Sequence, residues 1–225
     1  MQITHDEYTT QLAGRYSKLA PVWTEKIRRM GFCRAYDDLF IQIREWMPLL
    51  RDSGPKQVLD MGIGSGDLSH SLVKLFPIQI HLAGVDISRA MLQESESKLA
   101  PHTLSFTGIH EKIESTGLPA GQYDLVLAAH VLEHLEQPNR GFEEIHRLLK
   151  PGMPLVLVMT RCNIGWLYLS LQWQIHCSRT QKLRQILPGL GFENIRFIRL
   201  YGMCNMMSLA CIAFKKQTYT KTDRV

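Results

Sequence analysis

Three glycines follow a carboxylate in the run Asp60-Met-Gly62-Ile-Gly64-Ser-Gly66. Glycines placed directly after a strand permit a tight turn and let the backbone approach a ligand closely. The dinucleotide fingerprint GxGxxG is not met, because Asp67 stands where its last glycine belongs. The carboxylate of Asp60 suits a ligand of cationic character better than a pyrophosphate. The run predicts a ligand-binding loop, with a plain strand-to-helix turn as the alternative.

A second carboxylate, Asp86, stands at the predicted carboxyl end of the next strand. A carboxylate in this place accepts hydrogen bonds from both hydroxyls of a ribose, and the neighbouring Ile87 can pack against an adenine face. The alternative is a helix N-cap, because Ser88 and the helix after it also fit that role. The glycine loop one strand earlier favours ribose binding.

Two histidines, His130 and His134, follow the fourth predicted strand. Histidine changes its charge near neutral pH and is therefore suited to accept a proton from a nucleophile. A spacing of four residues predicts that both side chains share one face of a helix. The alternative is that these residues are only a structural feature of a helix start.

Alternating strands and helices position these residues. Strands are predicted over 57–60, 80–85, 104–106, 123–129, 155–159, 192–200 and 206–214, and helices over 67–75, 91–99, 142–149 and 180–187. Such alternation, with strand 155–159 apolar on both faces, is typical of an α/β fold. The sequence thus predicts a Rossmann-like, mostly parallel sheet of seven strands with helices on both faces.

The chain before the sheet is predicted to be helical. One helical segment covers about 8–30 and is interrupted near Pro21, and a second covers 35–50 and is ended or kinked by Pro48. We expect one folded domain with an N-terminal helical cap at 1–54, a core at 55–216 and a polar tail at 217–225. An apolar insertion is expected at 161–178.

Five motifs occur in a characteristic order: the run from Asp60 to Gly66, Val85-Asp86-Ile87-Ser88, Gln122-Tyr-Asp124-Leu-Val126, His130-Val-Leu-Glu133-His134-Leu and Leu148-Leu-Lys150-Pro151-Gly152. Together they resemble the class I S-adenosylmethionine-dependent methyltransferases of the type 11 branch, which includes the ubiquinone and menaquinone methyltransferases. The segment 187–197 resembles the late Leu-x-x-x-Gly-Phe segment of that family.

The resemblance implies S-adenosyl-L-methionine as the cofactor and no metal. The residues that it places around the cofactor are Asp60, Gly62, Gly64, Gly66, Asp86, Ile87, Met91, Ile109, His110 and Ala129. Asp60 and the glycines would hold the methionine end, Asp86 the ribose, and Ile87 and Met91 the adenine, while Ala129 would floor the pocket near the sulfonium. The family often has Gly-Asp-Ala at 108–110, so His110 or backbone groups would have to contact the adenine amino group here.

The resemblance also implies three catalytic residues: His134, His130 and Tyr16. In related phosphoethanolamine methyltransferases the position that resembles His134 acts with an N-terminal tyrosine, for which Tyr16 or Tyr8 is the candidate. The segment from Tyr16 to Trp23 resembles an opening motif of the family that folds over the cofactor and excludes water. Since the sulfonium already makes the methyl group electrophilic, positioning and desolvation supply most of the catalysis.

The insertion after the fifth strand carries Trp166, Tyr168 and Trp173 among leucines. Its apolar positions nearly surround a helix, so it is not a clean surface amphipath. Three interpretations stay open for it. It is a core or dimer contact, a wall for an aromatic or acyl acceptor, or a membrane-surface contact.

Composition excludes several classes. The 225 residues are 45% hydrophobic and carry 26 Lys and Arg against 21 Asp and Glu. Apolar runs are too short for a membrane-spanning helix, and the start of the sequence is not that of a signal peptide. Five cysteines without CxxC spacing indicate a reduced cytoplasmic protein without a zinc site. Nucleic acid is disfavoured as a partner, because no basic stripe with interleaved aromatic residues occurs.

The predicted function is methyl transfer to an O, N or C atom of a small lipophilic or aromatic acceptor by a monomer or homodimer. One alternative is N-methylation of a lipid head group at the membrane surface. Another is a partner protein that binds the cofactor without catalysis, which the unusual Gly108-Ile109-His110 suggests. Nicotinamide-dependent redox chemistry is disfavoured by Asp60 and Asp67.

Overall fold

A computed structural model of the chain describes residues 5–51, 54–162 and 177–217, and these ranges contain one sheet of seven strands. The strands are β1 (Lys56–Met61), β2 (Ile80–Val85), β3 (Ser105–Ile109), β4 (Leu125–Ala129), β5 (Pro154–Thr160), β6 (Phe192–Ile198) and β7 (Ser208–Lys215). Their order across the sheet is β3-β2-β1-β4-β5-β7-β6. The first five are parallel, and only β7 runs antiparallel to its neighbours β5 and β6. The predicted fold class is confirmed.

Helices lie between the strands and before them. They are α1 (His5–Arg29), α2 (Phe32–Ile43), α3 (Asp67–Leu75), α4 (Arg89–Leu99), α5 (Pro138–Leu148), α6 (Thr180–Gly189) and α7 (Cys204–Met207). Single 3-10 turns occur at Arg44–Trp46, Pro48–Leu50, Ala100–His102 and Leu132–His134. No helix within the described ranges is long and apolar enough to cross a bilayer.

Two apolar layers cover the sheet. Successive side chains of a strand point to opposite faces, so Val58 packs with α2 and α3 while the next residue, Leu59, packs with α5 and α6. Both side chains are fully buried. This double burial explains why the strands are nearly continuous apolar runs.

The parallel register brings three strand ends to one edge of the sheet. Met61 at the end of β1 is opposite Val85 of β2 and Ala128 of β4. The loops that follow these strands therefore meet at the carboxyl edge, where open α/β sheets bind their ligands. This edge carries the glycine loop, Asp86 and His130.

The N-terminal region differs from its prediction in two ways. Helix α1 continues through Pro21, because an internal proline removes only one backbone hydrogen bond of this long helix. Helix α2 ends at Ile43 rather than near residue 50, and Met47 before Pro48 is extended, as prolines require of the residue preceding them. Since Leu39 and Phe40 of α2 are fully buried in the layer over the sheet, α2 forms part of the core as well as covering it.

Two strand boundaries are set by pairing rather than by local composition. Strand β3 extends to Ile109, past the predicted 104–106, because it pairs with β2 along the whole of that edge. Residues 206–207, predicted as the start of the last strand, belong to α7 instead, and β7 begins at Ser208.

A disulfide joins Cys162 and Cys177, whose Cα atoms lie 4.9 Å apart. The neighbouring residues Arg161 and Ser178 form a β-bridge, which brings the two cysteines together at the base of the insertion. The prediction that all five cysteines are reduced is therefore wrong for this pair, and Cys33, Cys204 and Cys211 are free. The spacing along the sequence could not reveal a bridge between residues on either side of an insertion. Trp166, Tyr168 and Trp173 lie outside the described residues.

Candidate active site

A cavity of about 420 Å³ opens at the carboxyl edge of β1, β2 and β4. The glycine loop and the ends of the strands form its floor, and α1 and α2 cover it. Of the residues predicted for the site, it is lined by Tyr16, Asp60, Gly62, Gly64, Asp86, Ile87, Ala129, His130 and His134. The cavity therefore brings together predicted residues from four separate parts of the chain.

At Gly62, the first glycine of the loop, the surrounding atoms leave no room for a side chain. Gly62 has a φ of 71°, and a Cβ atom there would lie 2.3 Å from Cγ2 of Val131. Gly64 has a φ of 52° and lines the cavity, where a Cβ atom would meet nothing within 4 Å. The loop thus leaves open space at Gly64 for a ligand to approach the backbone.

Asp60 is only 2% exposed and accepts a hydrogen bond of 2.6 Å from the hydroxyl of Ser69. Burial raises the pKa of Asp60 to about 7, because a charged carboxylate loses its hydration in this place. A positive charge on a ligand would favour the ionised form. The surroundings of Asp60 therefore suit a cationic group.

Asp86 bridges the glycine loop and the start of α4. Its carboxylate accepts hydrogen bonds from the backbone N–H groups of Gly64 (2.9 Å) and Ser88 (2.8 Å). Ser88 caps α4, because its hydroxyl accepts a hydrogen bond from the N–H of Met91. The role of helix N-cap therefore belongs to Ser88, and Asp86 stays the candidate for ribose binding. Burial raises the pKa of Asp86 to about 6, although the backbone hydrogen bonds act against this shift.

Four residues predicted to contact the cofactor do not line the cavity: Gly66, Met91, Ile109 and His110. Met91 is fully buried in the core, and Gly66 turns the chain beside Leu99. His110 is exposed, and its Nε2 lies 2.9 Å from the carbonyl oxygen of Ile87. These four residues therefore lie near the cavity and do not form its walls.

The segment after β3 lines the cavity although no motif predicted it. Lys112, Ile113 and Glu114 all contribute to the wall. Their composition carries no recognisable signal, and they reach the site because β3 ends at the same edge as β2.

Tyr16 of α1 reaches across the cavity to His134. Its hydroxyl lies 3.1 Å from Nε2 of His134, and its ring contacts Trp23 edge-on with the centroids 5.4 Å apart. Burial lowers the pKa of His134 to about 4, so its ring is neutral at physiological pH. Burial also raises the pKa of Tyr16, and the carboxylates of Asp86 and Glu133 add to this effect.

His130 belongs to a polar cluster that lines the cavity. Its Nδ1 lies 3.0 Å from Oε1 of Glu133, and its Nε2 lies 3.3 Å from Oγ of Ser208. Glu133 is 1% exposed and also accepts hydrogen bonds from the N–H and hydroxyl of Thr160. Glu133 was missed among the site residues, although it lies inside the motif that contains both histidines.

The two histidines do not share a helical face, as their spacing predicted. His130 has a φ of 54°, in the left-handed region, and His134 ends the 3-10 turn Leu132–His134, while α5 begins only at Pro138. The left-handed turn at the end of β4 directs the chain so that both rings still face one cavity.

Comparison with known proteins finds one family match and several relatives. Residues 58–152 match the methyltransferase domain family. The chain is 30% identical over 155 residues to the ubiquinone biosynthesis O-methyltransferase of Paraburkholderia xenovorans, covering 64% of this chain and 59% of that protein. It is 30% identical over 106 residues to a ubiquinone/menaquinone biosynthesis C-methyltransferase of Syntrophotalea carbinolica, covering 47% and 44%.

Solved structures share the fold. The magnesium protoporphyrin IX methyltransferase of Synechocystis, solved with bound S-adenosylhomocysteine, superposes with a TM-score of 0.64 at 21% identity, covering 86% of this chain and 87% of that one. The chain spans about three fifths of the length of the first ubiquinone-pathway relative. Residues 58–152 thus match a methyltransferase domain, and the chain is similar to methyltransferases of ubiquinone and menaquinone biosynthesis.

Proposed function

We propose that this protein transfers a methyl group from S-adenosyl-L-methionine to an O, N or C atom of a small lipophilic acceptor. The observation that carries this proposal is one cavity in which the glycine loop, Asp60 and Asp86 lie beneath Tyr16 and beside two histidines. One part of this cavity suits the cofactor, and the remainder is left for an acceptor.

The residues present fit the cofactor. The open space at Gly64 admits a ligand against the backbone, and the buried carboxylates of Asp60 and Asp86 offer acceptors for an ammonium group and for ribose hydroxyls. When bound, the cofactor supplies an electrophilic methyl group on its sulfonium. Asp60 would hold the methionine end and Asp86 the ribose, with Ile87 beside the adenine.

The chain's own contribution is to orient the reactants and exclude water. Helix α1 covers the cavity, and the contact between Tyr16 and His134 ties it to the loop after β4. Exclusion of water strengthens the electrostatic interactions in such a site and holds the reactants in a reactive geometry. We assign Tyr16, His130 and His134 to the acceptor side of the site.

A lipophilic acceptor is supported by the walls that α1 and α2 contribute. Leu12, Ile27, Met30 and Phe32 line the cavity on this side, together with Met207 of α7. Apolar walls with a few convergent polar groups are typical of small-molecule sites.

Contact with a membrane surface is a second candidate, which would bring the enzyme to a lipid acceptor. It is favoured by Met203 and Met206, which are 72% and 67% exposed at α7, the helix whose Met207 lines the cavity. Vesicle pelleting of the protein, compared with a Met203→Glu/Met206→Glu variant, separates the two candidates. Pelleting that depends on these methionines supports membrane contact, and the absence of pelleting supports a soluble acceptor.

Calorimetric titration with S-adenosylhomocysteine tests the cofactor assignment, with NAD as the comparison ligand. We expect binding of the first and none of the second. Asp86→Ala should weaken the affinity about tenfold or more, because several hydrogen bonds to the ribose are lost. Glu96→Ala, which removes an exposed carboxylate of α4, is the matched control. Binding of the cofactor without turnover on a broad acceptor panel would instead support a non-catalytic partner protein.

A further inference from the structure

The polar cluster around His130 differs in character from the carboxylates assigned to the cofactor. We propose that His130 and Glu133 form an acceptor subsite that takes a hydroxyl group, so that the methylated atom is the oxygen of an alcohol or phenol. This inference rests on the proposed function, because it concerns the acceptor side of the same cavity. His130 is the catalytic residue in it, and Glu133 positions His130.

The hydrogen bonds of the cluster determine which nitrogen of His130 carries the proton. Oε1 of Glu133 accepts from the N–H of Thr160 at 3.0 Å and from its hydroxyl at 2.6 Å. An ionised carboxylate can only accept, so Nδ1 of His130, 3.0 Å from the same oxygen, must be the donor. In the neutral ring Nε2 is then the acceptor, and the hydroxyl of Ser208 at 3.3 Å donates to it.

Nε2 is the atom that an acceptor hydroxyl can reach. The side chain of His130 is 25% exposed and lines the cavity, whereas that of Glu133 is 1% exposed. The ring of Phe32 also packs edge-on against the ring of His130, with the centroids 5.3 Å apart. The geometry resembles that of other histidine bases, in which a buried carboxylate fixes the ring and its tautomer.

The negative charge of Glu133 is only partly balanced by its hydrogen bonds. Although burial acts to raise its pKa, hydrogen bonds from His130 and Thr160 oppose burial, and the net pKa lies below its ordinary value. Its second oxygen, Oε2, is buried and has no hydrogen-bond partner among the described residues. A proton that arrives on Nε2 would convert His130 into a cation beside this anion, which favours the transfer.

The negative charge around His130 determines which acceptor groups can bind there. A carboxylate acceptor would be repelled by Glu133 in a cavity of low dielectric. Of the charged residues on the cavity wall, five are acidic and two are basic: Asp60, Asp67, Asp86, Glu114 and Glu133 against Lys26 and Lys112. A neutral hydroxyl can instead donate to Nε2 without that penalty.

The step balances with the reactants already named. The hydroxyl oxygen forms the bond to the methyl carbon, the bond from that carbon to sulfur breaks, and its electrons remain on sulfur. The hydroxyl proton passes to Nε2 of His130, and the products are a methyl ether, S-adenosylhomocysteine and a protonated ring. His134, the other titratable group that faces this pair, stays neutral because burial lowers its pKa to about 4.

Two aromatic probes of similar size test the subsite on the full chain saturated with S-adenosylhomocysteine. The probes are 2-naphthol, which carries a hydroxyl, and 2-naphthoate, which carries a carboxylate. We expect 2-naphthol to bind about tenfold or more tightly than 2-naphthoate. His130→Ala should weaken the binding of 2-naphthol, because the hydrogen bond from its hydroxyl to Nε2 is lost. His102→Ala, which removes an exposed histidine outside the cavity, is the matched control.

Nitrogen-15 NMR of the His130 ring near neutral pH tests the positioning role without any turnover. We expect the proton on Nδ1 in the wild type and in Glu133→Gln, because a glutamine oxygen can still accept from it. Glu133→Leu should lose this preference and populate both tautomers. If Glu133 only filled space, Glu133→Leu would keep the same tautomer as the wild type.

Three results would overturn the inference: equal affinity for the two probes, unchanged naphthol affinity in His130→Ala, or a wild-type ring protonated on Nε2. Unchanged melting temperature and S-adenosylhomocysteine affinity show that each variant is folded. Failure of the wild type to bind S-adenosylhomocysteine would instead contradict the proposed function itself.

Discussion

The hydroxyl of Tyr16 lies 3.1 Å from Nε2 of His134, although the two residues are 118 positions apart in the sequence. This contact joins α1 to the loop after β4 and closes the cavity over the carboxyl edge of the sheet. Because loss of hydration lowers the pKa of His134 to about 4 and raises that of Tyr16, the phenol and the imidazole are neutral at physiological pH. The site is therefore covered by a neutral pair rather than by an ion pair.

Tyr16→Phe should keep the ring packing against Trp23 but remove this hydrogen bond. We expect a loss of about 1 kcal/mol in the free energy of unfolding, since Nε2 of His134 is left unpaired. Turnover should fall about tenfold or more, because closure of the site is impaired. Methyl-donor consumption with cell extract as the acceptor source measures the turnover. Tyr201→Phe, on the exposed surface, is the control, and an equal effect of both variants would refute the assignment.

Gly62→Ala and Gly64→Ala should separate stability from ligand binding. An alanine methyl at residue 62 would lie 2.3 Å from Val131, and we expect a cost of about 3 kcal/mol from overpacking and left-handed strain. At residue 64 the methyl meets no atom within 4 Å, so only the strain of about 1 kcal/mol applies. That methyl would enter the cavity, however, and should weaken binding of S-adenosylhomocysteine. Urea denaturation and calorimetry measure the two effects, and equal destabilisation by both variants would contradict the packing described.

The stability of the wild type relative to Asp60→Asn should depend on pH. Burial raises the pKa of Asp60 from 3.8 to about 7, so between these values the folded chain binds a proton that the unfolded chain has lost. By linkage, this contribution to stability decreases as the pH rises from about 4 to about 7. Asparagine does not titrate, and both proteins share all other groups. Melting temperatures across this range measure the difference, and a difference independent of pH would show that Asp60 titrates normally.

The disulfide should be visible as a difference in thiol count. The chain has five cysteines, of which Cys162 and Cys177 are paired and three are free. Thiol titration of the denatured protein should give three thiols before reduction and five after it. Five thiols before reduction, in protein prepared without a reductant, would mean that the pair is not oxidised.

The sheet and the glycine loop at its carboxyl edge could be predicted because their signals are local. The doubly apolar run 155–159 and the glycine loop before Asp67 each depend on a few consecutive residues. Strand β2 and helix α3 have the predicted bounds for the same reason.

The contacts around His130 and Glu133 could not be predicted, because they join residues that are distant in the sequence. Thr160 contacts Glu133, and Ser208 contacts His130, only when β4, β5 and β7 lie side by side. The left-handed turn at His130 is likewise set by the packing at the end of β4 and not by a glycine. A spacing of four residues therefore suggested a helical face that does not exist.

The most direct test of the account is a methyl-transfer assay with S-adenosylmethionine carrying an isotopically labelled methyl group. The purified protein is mixed with the small-molecule fraction of a cell extract, and mass spectrometry locates the label. We predict that S-adenosylhomocysteine forms and that the label appears in a small lipophilic product, with both lost in Asp86→Ala. If the wild type binds the donor but labels no product, or does not bind it at all, the proposed function is wrong.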